Sequence, residues 1–487
     1  MEVRNERLSD EKFEPERKEV LSMWPTGREV DFDEAIEFHK SLPPSKNYAK
    51  KLAWAKESGT TLIRTDSGVP PLEEHVEYLR YLQDEGGSDL LGSMVDSFTR
   101  TLQFEAAERG LRESLRTGKW LINGFPIVAH GVANTRNIVE AVALPLMIRG
   151  NAPDWRLILE VGLAGGHSGT SSSPMISFWH YSRNVPLEMS IRNHQYNYRL
   201  IGCYEEAGVP IAASVAGGFT ILCPYSVINA SAILDALIAA EQGTKNIHFS
   251  IQVQGNLVQD VAATITLPKL GQDYLNRFGY KDMVVTVSTS AWSGKFPDDA
   301  AEAFAVLCLS VVTSVIAGAQ VAHVKTIEEA ITIPTKESNA ASLRAGKKVI
   351  NMLRDQRIAL DSKTLGIEVR MLELETRAIV DRVIDLGDGD VAVGMIRAVD
   401  SGVLDNPFAT TRHVVGRVMA VRDNEGAVRY LDHGNLPFTN EILDFHRGKI
   451  AAREKAQGRK VDYESVVNDL FSISHGSLVT SFNRWRH

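Results

Sequence analysis

The sequence of 487 residues has few cysteines, no clustered basic residues and no recognisable metal motif. Its three cysteines show no C-x-x-C spacing and cannot build a disulfide framework, which predicts a reduced, cytoplasmic setting. Lysines and arginines are scattered and the net charge is −8, whereas a nucleic-acid groove needs clustered cations. The motifs H-E-x-x-H and G-x-S-x-G are absent. These absences favour a small-molecule enzyme without a nucleic-acid partner and without a metal site of its own.

Long hydrophobic runs are also scarce. The N-terminus carries charges of both signs and lacks the apolar stretch of a signal peptide. Residues 303–324 contain no charged residue and are long enough for a membrane helix, but Ser310, Gln320 and His323 interrupt them. We interpret the segment as a buried helix ending near Ala317, followed by a buried strand. No membrane partner is expected.

Between about residues 60 and 335, short apolar segments alternate with longer amphipathic ones. Nine short segments are candidate strands: Thr61–Arg64, Leu90–Val95, Trp120–Ile122, Leu144–Arg149, Met175–Trp179, Pro210–Val215, Ile247–Val253, Met283–Ser288 and Val321–Lys325. Apolar runs joined by helices are typical of a parallel sheet covered on both faces. Eight or nine such units predict a (β/α)₈ barrel, an α/β fold, with one candidate in excess.

The regions on either side of this alternation differ from it. Residues 1–58 have a helical pattern, with Asp31 or Asp33 as the N-cap of one helix. Residues 337–386 have the pattern of long helices, and short mixed segments follow. The sequence therefore predicts an N-terminal helical segment over 1–58, the barrel with the active site over 59–335, and a C-terminal α+β extension over 336–487 packed on the barrel.

Charged residues stand where the predicted strands end, which is where barrel enzymes carry their chemistry. Arg64 and Asp66 follow the first run, Arg149 and Lys325 end two others, and Arg100 lies just beyond another. Arginines converging at a barrel mouth can grip carboxylates through paired hydrogen bonds, which suits a small acidic substrate. The alternative for each is a solvated surface arginine.

Two segments allow more than one interpretation. The run Gly165–Ser173 is rich in small residues and resembles a phosphate-cradling loop, but it lacks the lysine of a P-loop. A flexible barrel loop is the better interpretation. The aromatic cluster within 175–181 could stack on a flat cofactor or fill the core, and the core is favoured.

Specific sequence blocks occur in order along nearly the whole chain. They are Trp24-Pro-Thr-Gly-Arg-Glu-Val-Asp31, Glu77-Tyr-Leu-Arg-Tyr-Leu-Gln-Asp-Glu-Gly-Gly87, Asn123-Gly-Phe-Pro126, Val324-Lys-Thr326, Ile333-Pro-Thr-Lys-Glu337, Val421-Arg-Asp-Asn424 and Val428-Arg-Tyr-Leu431. Together these blocks resemble the large, or epsilon, chain of glutamate mutase, an enzyme also called methylaspartate mutase.

The resemblance implies an isomerase whose barrel binds the substrate and the adenosyl half of adenosylcobalamin. A separate small B12-binding subunit would ligate the cobalt, and the absence of a D-x-H-x-x-G motif from this chain agrees with that division. The implied reaction is radical migration of a carbon fragment on a small amino or hydroxy acid. The resemblance also implies a homodimer of large subunits.

Individual positions carry over from the family. Those that match substrate contacts are Arg100, Arg149 and Tyr181. Those that match the barrel mouth and the adenosyl contacts are Asn123, Lys325, Glu329 and Phe471. No residue is assigned as catalytic.

Other positions depart from the family pattern. Asp66 stands where an arginine is expected, Ser171 and Ser177 replace a glutamate and a tyrosine, Ser214 replaces a glutamate, and His180 replaces a proline. An aspartate would repel a substrate carboxylate, although the nearby Arg64 could compensate or Asp66 could receive an amino group. The departures predict a substrate other than glutamate; a register shift in the 165–220 loops is the alternative.

Two other functions stay open from the sequence. One is a barrel isomerase or lyase that needs no cobalamin and uses Lys325 and Glu329 as acid and base. The other is a non-catalytic subunit that has lost its substrate contacts.

Overall fold

The computed structural model describes residues 3–218, 221–328, 333–356 and 362–479. Within these ranges, three α-helices precede the barrel: α1 (Asp10–Ser22), α2 (Phe32–Ser41) and α3 (Tyr48–Ser58). Asp31, one of the two residues predicted to cap a helix, is the N-cap of α2 and accepts a hydrogen bond from the backbone N–H of Glu34.

The barrel is one parallel sheet. Its strands are β1 (Leu62–Arg64), β2 (Asp66–Ser67), β3 (Leu91–Met94), β4 (Leu146–Arg149), β5 (Gly169–Ser171), β6 (Ala212–Val215), β7 (Asn246–Gln252), β8 (Val284–Ser290) and β9 (Val321–His323). β1 pairs with β9, and β2 pairs with β3. The two short strands are therefore halves of one strand interrupted at Thr65, and the ring has eight positions within the described residues. This confirms the predicted (β/α)₈ barrel.

Helices follow the strands and cover the outside of the barrel. They are α4 (Leu72–Asp84), α5 (Ser97–Arg100), α6 (Phe104–Thr117), α7 (Ile127–Ala141), α8 (Arg156–Ala164), α9 (Pro174–His180), α10 (Leu187–Glu206), α11 (Tyr225–Glu241), α12 (Leu257–Arg277) and α13 (Ala300–Ile316). The charge-free segment 303–324 contains most of α13 followed by β9, as predicted. Among the described residues, no helix combines the length and apolar character needed to cross a bilayer.

Two predicted strands were wrong and one strand was missed. Trp120–Ile122 is an irregular segment in which Leu121 is 53% exposed. Met175–Trp179 lies within α9, which begins with a proline at its first position, as helices often do. The strand in this part of the barrel is β5, in the stretch predicted to be a loop.

Helix α3 closes the lower end of the barrel, which is the end where the strands begin. Its buried residues Tyr48, Ala49 and Leu52 pack against interior residues of the barrel. Those interior residues are Leu62, Leu90, Met147, Ala212 and Val321. This apolar cluster fills the end where the strands begin, so polar side chains gather at the opposite end.

The described part of the C-terminal region adds five α-helices and two strands. They are α14 (Lys336–Leu353), α15 (Lys363–Leu386), α16 (Val391–Ser401), the antiparallel pair β10 (Met419–Arg422) and β11 (Val428–Asp432), α17 (Asn440–Gln457) and α18 (Tyr463–Leu470). Helix α15 packs on the barrel helices: Tyr274 Oη of α12 donates to Asp381 Oδ1 at 2.9 Å, and Ser226 Oγ of α11 donates to Glu375 Oε2 at 2.7 Å.

Candidate active site at the barrel mouth

A polar cavity of about 450 Å³ lies at the carboxyl ends of the barrel strands. Its lining includes a residue from each position of the ring, among them Asp66, Met94, Arg149, Ser171, Ser214, Ser250, Ser290 and His323. This end of a (β/α)₈ barrel carries the reacting groups in known enzymes of the fold. The volume lies within the range of small-molecule sites, about 300–1,000 Å³.

Asp66 lies at the centre of a buried polar network. Arg64 Nη1 donates to Asp66 Oδ1 at 2.6 Å. Arg149 Nε donates to Oδ2 at 2.9 Å, and His323 Nε2 lies 2.9 Å from the same oxygen. The Asp66 side chain is only 9% exposed. Two guanidinium groups and one imidazole therefore share a single protein carboxylate.

The charges in this network fix its protonation. Burial alone raises the pKa of the Asp66 carboxyl, but Arg149 and Arg64 outweigh burial and hold that pKa well below its ordinary value. Burial lowers the pKa of His323 to about 4, although Asp66 opposes this. Near neutral pH, Asp66 is ionised and His323 is neutral. His323 Nε2 therefore carries the proton and donates to Asp66, which leaves Nδ1 as an acceptor.

A chain of hydroxyl groups continues from His323 into the cavity. Ser290 Oγ lies 3.1 Å from His323 Nδ1 and donates to it. Ser250 Oγ lies 3.3 Å from Ser290 Oγ, and donates to it because the Ser290 hydrogen is already engaged. The hydrogens of both hydroxyls therefore point along this chain of hydrogen bonds, in the direction of Asp66.

The backbone at Gly92 leaves the space that the Asp66 carboxylate occupies. Asp66 on β2 is the register partner of Gly92 on β3. A Cβ at position 92 would lie 2.2 Å from Asp66 Oδ1 and 2.9 Å from Arg149 Cγ. The network therefore requires a residue without a side chain at this position.

Arg100 is positioned by a short helix. Asp96 caps α5 by accepting two of its backbone N–H groups. Arg100 Nε donates to Val95 O at 3.1 Å, and its guanidinium carbon lies 5.9 Å from the centre of the Tyr181 ring. Within the described ranges, the terminal nitrogens of Arg100 have no acceptor at hydrogen-bond distance. They are available to an anion in the cavity.

The structure brings most of the predicted site residues together. Those that line the cavity are Asp66, Arg100, Asn123, Arg149, Ser171, Tyr181 and Lys325. Arg64 is buried beneath this lining and reaches it through Asp66. Ser171 Oγ donates to the backbone oxygen of Gly150 at 2.8 Å.

Three other predicted residues, Ser177, His180 and Phe471, do not belong to the described cavity lining. Ser177 is buried on α9, 3.1 Å from the Ser172 hydroxyl. His180 Nε2 lies 3.3 Å from Asn406 Nδ2. Phe471 follows α18 and is 47% exposed. Glu329 lies outside the described residues.

His323, Ser290 and Gly92 belong to the site but were not identified from the sequence. His323 lies within the predicted strand Val321–Lys325, two residues before Lys325, and that position is a signal. Gly92 and Ser290 carried no comparable signal. In the part of the chain that the structure describes, no cluster of three or more His, Cys, Asp or Glu side chains could hold a metal ion.

Comparison with known proteins gives a consistent result. Residues 42–481 match the family described as methylaspartate mutase E chain. The chain is 43% identical to the glutamate mutase epsilon subunit of Treponema denticola, over 98% of this chain and 99% of that protein. Identity is 42% to the epsilon subunit of Desulfitobacterium hafniense, over 98% and 99% of the two chains. It is 39% to that of Haloarcula marismortui, over 98% and 96%.

Proposed function

The chain belongs to the methylaspartate mutase E chain family, and from that premise we propose that it is the large catalytic subunit of an adenosylcobalamin-dependent carbon-skeleton mutase. It is an isomerase that moves a carbon fragment between neighbouring carbons of a small amino or hydroxy acid. The relatives are named epsilon subunits, which supports a complex with a further subunit.

The convergence of Arg100, Arg149 and Tyr181 on one side of the cavity is the observation that carries this proposal. Arg149 uses only its Nε on Asp66, and no acceptor within the described ranges lies at hydrogen-bond distance from its terminal nitrogens. Arg100 approaches from the neighbouring strand end with its terminal nitrogens likewise available. Two guanidinium groups with open donors can hold the carboxylate of a small acid in a fixed orientation.

The residues around the rest of the mouth fit the adenosyl half of the cofactor. Lys325 and Asn123 line the cavity and offer an ammonium and an amide, which suit ribose hydroxyls. When bound, adenosylcobalamin would supply the carbon-centred radical that abstracts hydrogen from the substrate. Since the sequence contains no D-x-H-x-x-G motif, we assign the cobalt ligand to a small cobalamin-binding subunit that covers the barrel mouth.

The barrel itself would protect a reactive species. The apolar cluster beneath the cavity closes the lower end, and the strands form a continuous wall. A bound partner over the mouth would complete the exclusion of water and limit side reactions. We retain the predictions of a large-subunit homodimer and of a cytoplasmic setting, and the latter agrees with the absence of a disulfide among the three cysteines.

Reconstitution tests this proposal. The purified chain, the small cobalamin-binding subunit from the same organism and adenosylcobalamin would be mixed, and single acids added while cob(II)alamin absorbance is followed. We expect cob(II)alamin to form only when both subunits and a suitable acid are present. Isomerisation without cobalamin would instead identify a B12-independent isomerase or lyase. Cofactor binding without cob(II)alamin for any acid would identify a non-catalytic subunit.

A further inference from the structure

Asp66 makes the contacts that a bound carboxylate would make. Both of its oxygens are engaged, Oδ1 by Arg64 and Oδ2 by Arg149 and His323. The carboxylate is nearly enclosed, and its single negative charge lies between two guanidinium groups. The protein therefore places an anion of its own where cations converge.

The Asp66 carboxylate occupies a space that the neighbouring strand leaves open for it. Gly92 leaves the volume that Oδ1 fills, since a Cβ there would overlap that oxygen. Arg64 is 4% exposed, contacts Met147 Sδ at 3.5 Å and is absent from the cavity lining among the described residues. A ligand in the cavity therefore meets Arg64 only through the Asp66 carboxylate.

The guanidinium donors left for a ligand carboxylate lie on one side of the cavity. They are the terminal nitrogens of Arg100 and Arg149, next to Tyr181. The remaining cation in the described lining is Lys325, which the proposed function assigns to the adenosyl group. Among the described residues, the cavity thus has one binding position for a substrate carboxylate.

The wall near Asp66 favours an uncharged hydrogen-bond donor. The Ser250 and Ser290 hydroxyl hydrogens are committed to the chain that ends at Asp66, so their oxygens present lone pairs to the cavity. Lone pairs backed by an ionised carboxylate repel an anion and attract an N–H or O–H group.

We infer that the substrate, on the proposed function, is an amino acid with a single carboxylate and a side chain that ends in an uncharged donor such as an amide. Asp66 fills the place that the second carboxylate of a dicarboxylic acid would take. The carboxylate of the substrate binds at Arg100 and Arg149, and the uncharged end lies towards Ser290.

Titration calorimetry of the purified full-length chain with L-glutamine and L-glutamate tests this inference. The two ligands have nearly the same shape and differ in whether the side chain ends in an amide or a carboxylate. We expect L-glutamine to bind at least about tenfold more tightly, the minimum for one mispaired charged group. L-Norvaline, which ends in a methyl group, should bind between them. Tighter or equal binding of L-glutamate, or no binding of L-glutamine, would overturn the inference.

Asp66→Asn gives an independent test with the same readout. Removing the charge frees Arg64 and Arg149, so the preference should shift towards L-glutamate by at least about tenfold. Asp469→Asn is the matched control, since Asp469 is a buried partner of Arg453 and neither residue belongs to the described cavity lining, and it should leave the ligand ratio unchanged. An unchanged ratio in Asp66→Asn would contradict the inference. If that variant does not fold, the wild-type comparison still decides.

The mutase proposal and the inferred substrate class can be refuted independently of each other. Calorimetry on the large chain needs neither cobalamin nor a partner, so it reports only the selectivity of the cavity. Absence of cob(II)alamin formation despite amide selectivity would count against the mutase proposal alone. Formation of cob(II)alamin with L-glutamate but not L-glutamine would count against the inferred substrate class alone.

Discussion

Arg149 on β4 donates its Nε to Asp66 Oδ2 on β2 at 2.9 Å, across the intervening strand β3. The side chains meet because the residue between them is Gly92, the register partner of both Asp66 and Met147. Two side chains can make a polar contact across an intervening strand only where the residue between them leaves space, as Gly92 does here. The charge arrangement of the whole cavity therefore depends on one missing side chain.

Gly92→Ala should disrupt the site. The added Cβ would lie 2.2 Å from Asp66 Oδ1, so the carboxylate must move. We expect a loss of about 1–3 kcal/mol in the free energy of unfolding and a fall of at least about tenfold in affinity for the preferred acid. Urea unfolding and calorimetry measure the two effects. Gly448→Ala is the control, because its added Cβ would meet no atom within 4 Å beyond its chain neighbours and the backbone of its own helix. Wild-type affinity in Gly92→Ala would show that the space at Gly92 is not needed for binding of the acid.

Asp66→Asn should destabilise the fold. Asparagine keeps the shape of the side chain, but Arg64 and Arg149 lose their common anion in a buried position. Breaking a buried ion pair on one side costs about 3–5 kcal/mol. Urea unfolding at pH 7 measures the change, with Glu108→Gln as a control at the exposed pair with Arg112, where little change is expected. Equal stability of Asp66→Asn and the wild type would contradict the role given to Asp66.

Arg100→Lys should weaken acid binding without unfolding the protein. Lysine keeps the charge but loses the planar pair of donors that matches a carboxylate. We expect affinity for the preferred acid to fall by about tenfold or more, measured by calorimetry. Arg109→Lys on the exposed face of α6 is the matched control. Similar affinities in the two variants would place the carboxylate elsewhere.

Acidification should destabilise the protein through its buried histidines. Burial lowers the pKa to about 3 or 4 for His39, His75, His167, His180, His194, His248 and His323. Their unfolded value is 6.5, so between pH 6.5 and 4 the folded state binds fewer protons and stability falls as pH falls. Each contributes about 1.4 kcal/mol per pH unit inside that window.

Buried carboxyls oppose this trend. Burial raises the pKa of Asp235 to about 8 and that of Asp260 to about 6, so folding favours their protonated forms. The histidines are more numerous, and the net slope keeps their sign. Urea unfolding at pH 7, 6 and 5 should show a steadily smaller free energy of unfolding. A constant or rising value over that range would show that these histidines are solvated.

The barrel could be predicted because most of its strands are buried on both faces and form plain apolar runs. β5 could not, because its sequence Gly-Thr-Ser has no apolar residue: Ser171 faces the polar cavity, and Gly169 leaves room for Tyr48. The missed strand is thus a strand adapted to the site.

Two apolar runs were misleading for a different reason. Met175–Trp179 is buried on all sides within α9, so it lacks the periodicity that separates a helix from a strand. Trp120 is held by its indole N–H, which donates to Glu74 Oε2 at 2.6 Å, and not by strand pairing. Short apolar runs require tertiary context.

The convergence of Arg100, Arg149 and Asp66 followed from their positions at strand ends. Their pairing could not be predicted. The sequence allows Arg64 to bind a substrate carboxylate in compensation for Asp66, but the structure pairs Arg64 with Asp66. The pairing depends on the strand break at Thr65, on Gly92 and on His323 from the neighbouring strand β9, and contacts between residues so distant in sequence cannot be read from a local pattern.

Isotope transfer separates a radical mutase from every alternative. The chain and its small subunit would be incubated with adenosylcobalamin deuterated at C5′ and L-glutamine, and the recovered amino acids analysed by mass spectrometry. We expect deuterium in the recovered acid and in a rearranged isomer, and neither when the large chain is omitted. Calorimetric binding of L-glutamine together with a complete absence of deuterium transfer, for this acid and for L-glutamate, would contradict a mutase.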